Sequence, residues 1–139
     1  MLKLAIIVSR FNEAVTKALY QSAKTRLDEL GFKPEQVITV FVPGAVEIPI
    51  TAQRVAKTNS YDAIICLGAV IQGDTKHFDY VCQQVSDGCQ RVALDHEIPV
   101  IFGVLTTNDD AQAFARIEKG RECVDCALEM IHTLRKIEI

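Results

Sequence analysis

Four short runs of apolar residues alternate along this chain with longer segments of helical periodicity. The apolar runs cover residues 3–8, 37–42, 63–71 and 100–105. They are apolar on both faces, whereas a strand that covers a core on one face alternates polar and apolar residues. Runs of this kind are typical of parallel strands buried between two layers of helices. The sequence therefore predicts an α/β fold, a three-layer sandwich with a four-stranded parallel sheet and helices on both faces.

The segments between the runs carry the signals with which helices begin and end. They cover residues 13–30, 47–57, 76–96 and 111–137, and the last is expected to break near Gly120. Gly31 ends the first segment, and the sequence Asn108-Asp109-Asp110 is typical of a helix N-terminus. Because no linker or shift in composition interrupts the alternation, we predict a single domain over residues 1–139.

Charge and hydropathy exclude two classes of partner. The 15 Lys and Arg residues against 18 Asp and Glu residues leave a formal charge of -3, without the basic patch that nucleic-acid binding needs. The apolar runs are too short to span a bilayer, so no membrane partner is expected. We expect a cytoplasmic protein.

A four-stranded sheet of this size leaves edges that favour association with further copies.

The five cysteines, an odd number, indicate a reducing compartment rather than a disulfide framework. Cys123 and Cys126 form a C-x-x-C pair inside a helical segment, where residues three apart share one face. We therefore predict buried structural thiols instead of a redox pair. Cysteines and histidines elsewhere lack the paired spacing of a zinc site, so no metal is predicted.

Polar, glycine and aromatic residues follow each predicted strand at its carboxyl end, where parallel sheets bind ligands. The four segments cover residues 9–12, 43–47, 72–77 and 106–108. Together they predict a polar pocket with an aromatic wall. For single residues a structural role stays open: Asn12 and Asn108 as helix caps, and Phe11 as a hydrophobic staple.

The segment from Gly73 to His77 is the most informative of the four. A glycine turn that leads into a helix presents free N–H groups, and the Thr75 hydroxyl adds a donor, which together suit a phosphate or another anion. The spacing is not that of a P-loop. Asp74 could offer an anion its backbone N–H, or cap the helix. An imidazole gives and takes protons near neutrality, so His77 is a candidate proton carrier or a plain surface residue.

Two further charged residues have competing interpretations. Arg116 could complete the anion site with residues 73–75, since guanidinium matches phosphate oxygens bidentately, or could be a solvated helix residue. Glu47 stands at a predicted helix start, where it could favour the helix dipole or accept hydrogen bonds from a polyol or amine.

Taken together, these segments resemble the lumazine synthase family over nearly the whole chain. The matching stretches are SRFN at 9–12, VPGAVEIP at 42–49, LGAVIQGDTKHFDYV at 67–81, and FGVLTT at 102–107 with Gln112-Ala113. The resemblance implies a flavodoxin-like fold and a homopentamer, with a higher assembly left open. It also implies condensation of 5-amino-6-(D-ribitylamino)uracil with 3,4-dihydroxy-2-butanone 4-phosphate, two small-molecule substrates, and no cofactor.

The resemblance also implies roles for individual residues. His77 would transfer protons, and Phe102 would reach the site from a neighbouring subunit. The phosphate of the second substrate would be held by Asp74, Thr75 and Arg116. The first substrate would be held by Phe11 against its ring, by Ala45, Val46 and Glu47 along its ribityl chain, and by Ala69, Val70 and Ile71 along its heterocycle. Arg121 is the candidate counterpart of a family lysine.

Three other functions remain as alternatives. An archaeal-type riboflavin synthase has a similar architecture, but the segment 73–77 and Thr106-Thr107 fit it poorly. A catalytically silent flavin-binding or shell-forming paralogue is disfavoured because Phe11, His77 and Arg116 are present together. A signalling module of the same fold would need an acidic pocket with a phosphoacceptor aspartate, which does not follow the strands.

Overall fold

A computed structural model describes residues 1–137, and within them four strands form one sheet. The strands are β1 (Leu4–Ser9), β2 (Val37–Val42), β3 (Ala63–Ile71) and β4 (Val100–Thr107). Their order across the sheet is β2-β1-β3-β4, and each neighbouring pair is parallel. Glu138 and Ile139, which end the predicted domain, lie outside the described residues.

Helices cover both faces of this sheet. The described part of the chain has α1 (Glu13–Glu29), α2 (Ile48–Lys57), α3 (His77–His96), α4 (Asp110–Phe114) and α5 (Lys119–Arg135). Helices α1 and α5 pack together on one face, α2 and α3 pack together on the other, and the short α4 packs on β4. The predicted α/β sandwich with a parallel four-stranded sheet is confirmed.

The two central strands explain why the apolar runs do not alternate. Every residue of β1 is buried, and so are the first eight of the nine residues of β3. Leu4, Ile6 and Val8 contact the α1 and α5 layer, whereas Ala5 and Ile7 contact the α2 and α3 layer. Successive side chains of a strand point to opposite faces, so a strand between two helix layers needs apolar residues at every position.

Two glycines allow the helices to approach one another closely. A Cβ on Gly120 of α5 would overlap the carbonyl oxygen of Leu19 and lie 3.1 Å from the nitrogen of Ala23, both on α1. On the opposite face, a Cβ on Gly88 of α3 would lie 2.6 Å from the Cβ of Pro49 on α2. The Arg26–Asp125 ion pair, at 2.8 Å, adds a polar contact between α1 and α5.

The last predicted helix differs from expectation in the position of its break. The chain leaves helical geometry after α4 and resumes it at Lys119, so the break covers residues 115–118 and Gly120 lies inside the first turn of α5. Gly120 is needed for the contact with α1, not for ending a helix. The predicted helix N-terminus is confirmed, but its cap is Asp109 and not Asn108: the Asp109 carboxylate accepts a hydrogen bond from the N–H of Gln112 at 2.8 Å.

Strand β4 extends two residues beyond its predicted end, because Thr106 and Thr107 continue the pairing opposite Val70 and Ile71. The prediction of two buried thiols in the last helix is half right: Cys123 is buried, but Cys126 is exposed. Three residues of helix turn a side chain by about 60° from the starting direction. That turn carries Cys126 off the buried face of α5.

Within residues 1–137, no helix combines the length and the apolar character needed to cross a membrane.

We predict that Gly120→Ala destabilises the protein by about 1–3 kcal/mol, because the new methyl group meets backbone atoms of α1 that cannot rotate away. Alanine favours helix over glycine by up to about 1 kcal/mol, which offsets part of this loss. Gly73→Ala is the matched control, since a Cβ there has no atom within 4 Å among the described residues. Denaturant unfolding of both variants measures the difference, and equal stabilities would contradict the close packing.

We predict that Cys123 resists thiol reagents in the native protein. Burial raises the pKa of its thiol from 9.0 to about 11. Between these values the unfolded chain loses the proton first, so this thiol's contribution to stability falls as pH rises above about 9. Mass mapping after labelling at pH 8 should find Cys126 modified in the native state and Cys123 modified after unfolding. Equal native labelling of both would refute the assignment.

Candidate active site

The carboxyl end of the sheet holds a cavity of about 320 Å³ between the ends of β1 and β3. This is the place where the chain order reverses across the sheet, with β2 on one side of β1 and β3 on the other. Open α/β sheets bind ligands at such a switch point. The predicted site residues that line the cavity are Phe11, Ala45, Val46, Ala69, Val70, Ile71, Thr75 and His77.

Phe11 forms one wall of this cavity and is 72% exposed. Its backbone N–H donates to the carbonyl of Pro43 at 3.0 Å, and the N–H of Arg10 donates to Val42 at 2.8 Å. These bonds join the β1 loop to the end of β2. A largely exposed aromatic ring at a cavity wall is available to stack on a flat ligand.

Asn12, the next residue, is not the side-chain helix cap that remained open from the sequence. Within residues 1–137 its side chain makes no capping bond to α1; instead its Nδ2 donates to the Ala69 carbonyl oxygen at 2.9 Å. Asn12 thus joins the loop after β1 to the end of β3, and both residues line the cavity.

Thr75 and His77 stand where α3 begins. The hydroxyl oxygen of Thr75 accepts a hydrogen bond from the N–H of His77 at 3.2 Å, which leaves the hydroxyl proton of Thr75 free to donate to an anion. The His77 side chain is exposed and lines the cavity. The candidate proton carrier, His77, and a hydroxyl that can donate to an anion, that of Thr75, therefore both lie at the start of α3.

Asp74 lies outside the cavity lining, with an exposed side chain. It does not cap α3 in the described chain, since Thr75 bonds the first free N–H instead. The Glu47 carboxylate also turns away from the cavity. Its Oε1 accepts from the N–H of Gly44 at 2.9 Å, which stabilises the short turn before α2. Val46 does line the cavity.

Phe102 and Arg116 lie in a second cavity of about 540 Å³, beside the edge strand β4 and the turn between α4 and α5. The Nη1 of Arg116 donates to the carbonyl of Gln112 at 2.8 Å, and the guanidinium stays exposed. One copy of the chain therefore does not bring Phe102 or Arg116 together with His77. The predicted site residues are thus divided between two separate cavities of one chain.

Lys119 and Glu122 line the second cavity with Arg116, and the sequence reasoning missed both. Arg121, the candidate for that region, points elsewhere: its Nη1 lies 2.6 Å from Oε1 of Glu29 on α1. Hydrogen bonding with Arg121 lowers the pKa of Glu29, and the same bond raises the pKa of Arg121. The spacing of these residues could have indicated them from the sequence. Positions 116, 119 and 122 are three residues apart and would share one face of the predicted helix, whereas position 121 would not.

Metal ligands are not assembled here. Within residues 1–137, no group of three or more His, Cys, Asp and Glu side chains is arranged to hold a metal ion.

Comparison with known proteins identifies the family. The family profile described as 6,7-dimethyl-8-ribityllumazine synthase matches residues 1–135. A 6,7-dimethyl-8-ribityllumazine synthase of Coxiella burnetii is 56% identical over 142 residues, covering 99% of this chain and 94% of the relative. The synthase of the same name from Salinibacter ruber is 46% identical, covering 98% of this chain and 90% of the relative. With the cavity at the β1–β3 switch point, these matches show that the chain belongs to the 6,7-dimethyl-8-ribityllumazine synthase family.

Proposed function

We propose that this chain condenses 5-amino-6-(D-ribitylamino)uracil with 3,4-dihydroxy-2-butanone 4-phosphate. The products are 6,7-dimethyl-8-ribityllumazine, phosphate and water. The observation that carries this proposal is the family match over residues 1–135. The reaction consists of imine formation, elimination and ring closure, which are neutral in redox terms, so the proposal includes no cofactor.

In the proposed complex, the uracil ring lies between Phe11 and the end of β3. The exposed Phe11 ring supports stacking, and Ala69, Val70 and Ile71 supply main-chain groups along the strand end. Strand β3 extends beyond its pairing with β1, which ends at Val8 opposite Leu67. The polar ribityl chain would run along residues 45–47 and bond chiefly to the backbone there.

The second substrate is proposed to place its phosphate at the start of α3. The free hydroxyl proton of Thr75 and the positive end of the helix dipole support an anion there, with the Asp74 N–H beside them. His77 follows within the first turn, close enough to act on carbon atoms next to the phosphate. It would remove the proton whose loss expels phosphate, and would carry protons while the imine forms and water leaves.

Phe102 and Arg116 are proposed to enter the site from a neighbouring copy. Both lie at the edge of the sheet opposite β2, in a cavity separate from that of His77. Copies arranged head to tail would bring the β4 edge of one subunit to the Phe11 and His77 cavity of the next, and such contacts close into a ring. We propose a homopentamer, with Arg116 binding the phosphate across each interface.

Two further parts of the proposal concern the extent of the domain and the cellular compartment. Residues 1–139 would form one domain, which the single sheet with helices on both faces supports. Five cysteines without any disulfide among the described residues support a reducing compartment, and we propose the cytoplasm.

We predict that His77→Ala lowers kcat about 10- to 100-fold but does not abolish turnover. The imidazole contributes proton transfer, while the holding of two substrates together, which the variant keeps, contributes much of the rate. Product formation from the two substrates is followed by the fluorescence of the lumazine.

His132→Ala is the matched control, since it removes an exposed histidine from α5, on another element. It should leave kcat unchanged. An unchanged kcat in His77→Ala would refute the catalytic role. No product from the unmodified chain would refute the proposed function and favour the silent paralogue, and consumption of added lumazine would favour riboflavin synthase.

We predict that subunits carrying His77→Ala and subunits carrying Arg116→Ala complement each other when they assemble together. With equal, random mixing in a ring, about one quarter of the interfaces pair an intact His77 with an intact Arg116. Activity after co-expression should therefore exceed that of both single variants and approach one quarter of normal.

The double variant, with both changes on one chain, mixed with unmodified chain provides the control for subunit exchange. There about one quarter of the interfaces are again intact. If both residues belonged to the site of a single subunit, about one half of the sites in this control would stay intact and the complementation experiment would show no recovery.

A further inference from the structure

The end of β3 lacks a strand neighbour on one side. Pairing between β1 and β3 stops at Val8 opposite Leu67, whereas pairing between β3 and β4 continues to Ile71 opposite Thr107. In the described chain, residues 68–71 therefore have β4 beside them but not β1. Ala69 is buried, and a buried carbonyl must find a hydrogen-bond donor from elsewhere.

Asn12 supplies that donor with its side chain. Its Nδ2 lies 2.9 Å from the Ala69 carbonyl oxygen, in a partly buried bond that spans 57 residues of sequence. The Asn12 carbonyl meanwhile accepts from the N–H groups of Val15 and Thr16, both at 3.1 Å, and so begins α1. Asn12 thus bonds to α1 through its backbone carbonyl and to β3 through its side-chain amide.

The backbone of Asn12 is left-handed, with φ 64° and ψ 51°. Asn59 and Glu97 share this region, but they follow the ends of α2 and α3, where left-handed residues are common. A residue that precedes a helix is ordinarily extended and bonds the helix through its side chain. The conformation of Asn12 instead aims its amide at β3.

Phe11 depends on this arrangement for its position. Its ring is largely exposed, so packing holds it weakly, and its place is determined by backbone bonds on either side. Arg10 and Phe11 bond to the end of β2, and Asn12 bonds to the end of β3. Without the Asn12 amide, the loop would be joined to β2 alone.

We propose that Asn12 is a positioning residue, which holds the ring of Phe11 at a fixed separation from the backbone of β3 so that a flat heterocycle fits between them. It acts through Phe11 and Ala69. The inference rests on the proposed function in that the heterocycle is the uracil ring of the first substrate.

Two variants remove the bond in different ways. In Asn12→Asp, the new side chain has nearly the size of asparagine and also tolerates a left-handed backbone. It places a carboxylate oxygen, which cannot donate a hydrogen bond, against the Ala69 carbonyl. Asn12→Gly keeps the backbone region without strain and removes the amide. Loss of this partly buried bond corresponds to a roughly tenfold effect, so KM for the aminouracil should rise about tenfold while kcat changes less than about threefold.

A double-mutant cycle separates positioning from direct contact. In a Phe11→Ala background there is no ring left to position, so adding Asn12→Gly should raise KM by less than about twofold. A full tenfold rise in that background would mean that Asn12 binds the substrate itself, and would overturn the proposal. Asn59→Gly is the matched control, since it changes another left-handed asparagine remote from the site.

A second readout needs neither substrate nor activity. The chain has no tryptophan, so Phe11→Trp introduces a single tryptophan at this position, whose fluorescence can be excited apart from that of the three tyrosines. Adding Asn12→Gly to it should lower the fluorescence anisotropy of the free protein at unchanged assembly size and circular dichroism, while Asn59→Gly should not. Unchanged anisotropy would overturn the proposal even if the enzyme is active. Lowered anisotropy in a protein that makes no product would support the positioning and refute the proposed function.

Discussion

Burial of β1 and β3 on both faces is the constraint on which the rest of this structure depends. Their side chains supply the cores on both sides of the sheet, so neither strand can shift by one residue without exposing part of a core. This fixes where each strand ends. Because β1 stops earlier than β3, the sheet ends in a step, and the candidate cavity occupies that step.

The step also explains how the site combines rigidity with access. Strand ends anchored in the core hold the cavity floor, while Phe11, Thr75 and His77 project from short loops or from a helix start. The second cavity, at β4, has a similar arrangement, since Phe102 lies on the edge strand and Arg116 on the turn that follows α4. The two cavities lie on either side of the β3–β4 pair, since Ile71 lines the first and its partner Thr107 lines the second. This division is what the proposed assembly of copies into a ring would bring together.

Much of the fold was predictable because its signals are local. The double-sided apolar runs predicted the strands, glycine and acidic caps predicted helix limits, and the motifs predicted the family, which the comparisons confirmed. The errors arose where long-range packing decides. The sequence predicted a helix break near Gly120, but this glycine is needed for the close contact between α5 and α1. It also predicted a buried Cys126, but the rotation of α5 about its axis leaves that thiol exposed. At the start of α3 the choice is local, because Thr75 and not Asp74 accepts the hydrogen bond from the N–H of His77.

By itself the sequence determined the layer architecture, the family and the edge of the sheet at which the polar residues gather, because periodicity and motif spacing are properties of neighbouring residues. Only the tertiary structure decided which of those residues meet. In the folded chain His77 and Phe11 line one cavity, and Arg116 lies in another. Arg121 pairs with Glu29, and the side-chain amide of Asn12 bonds to the carbonyl of Ala69. The physical reason is that strand register and helix rotation are set by core packing between distant segments. A local pattern shows which residues of one element share a face, but not how that element is rotated against its neighbours.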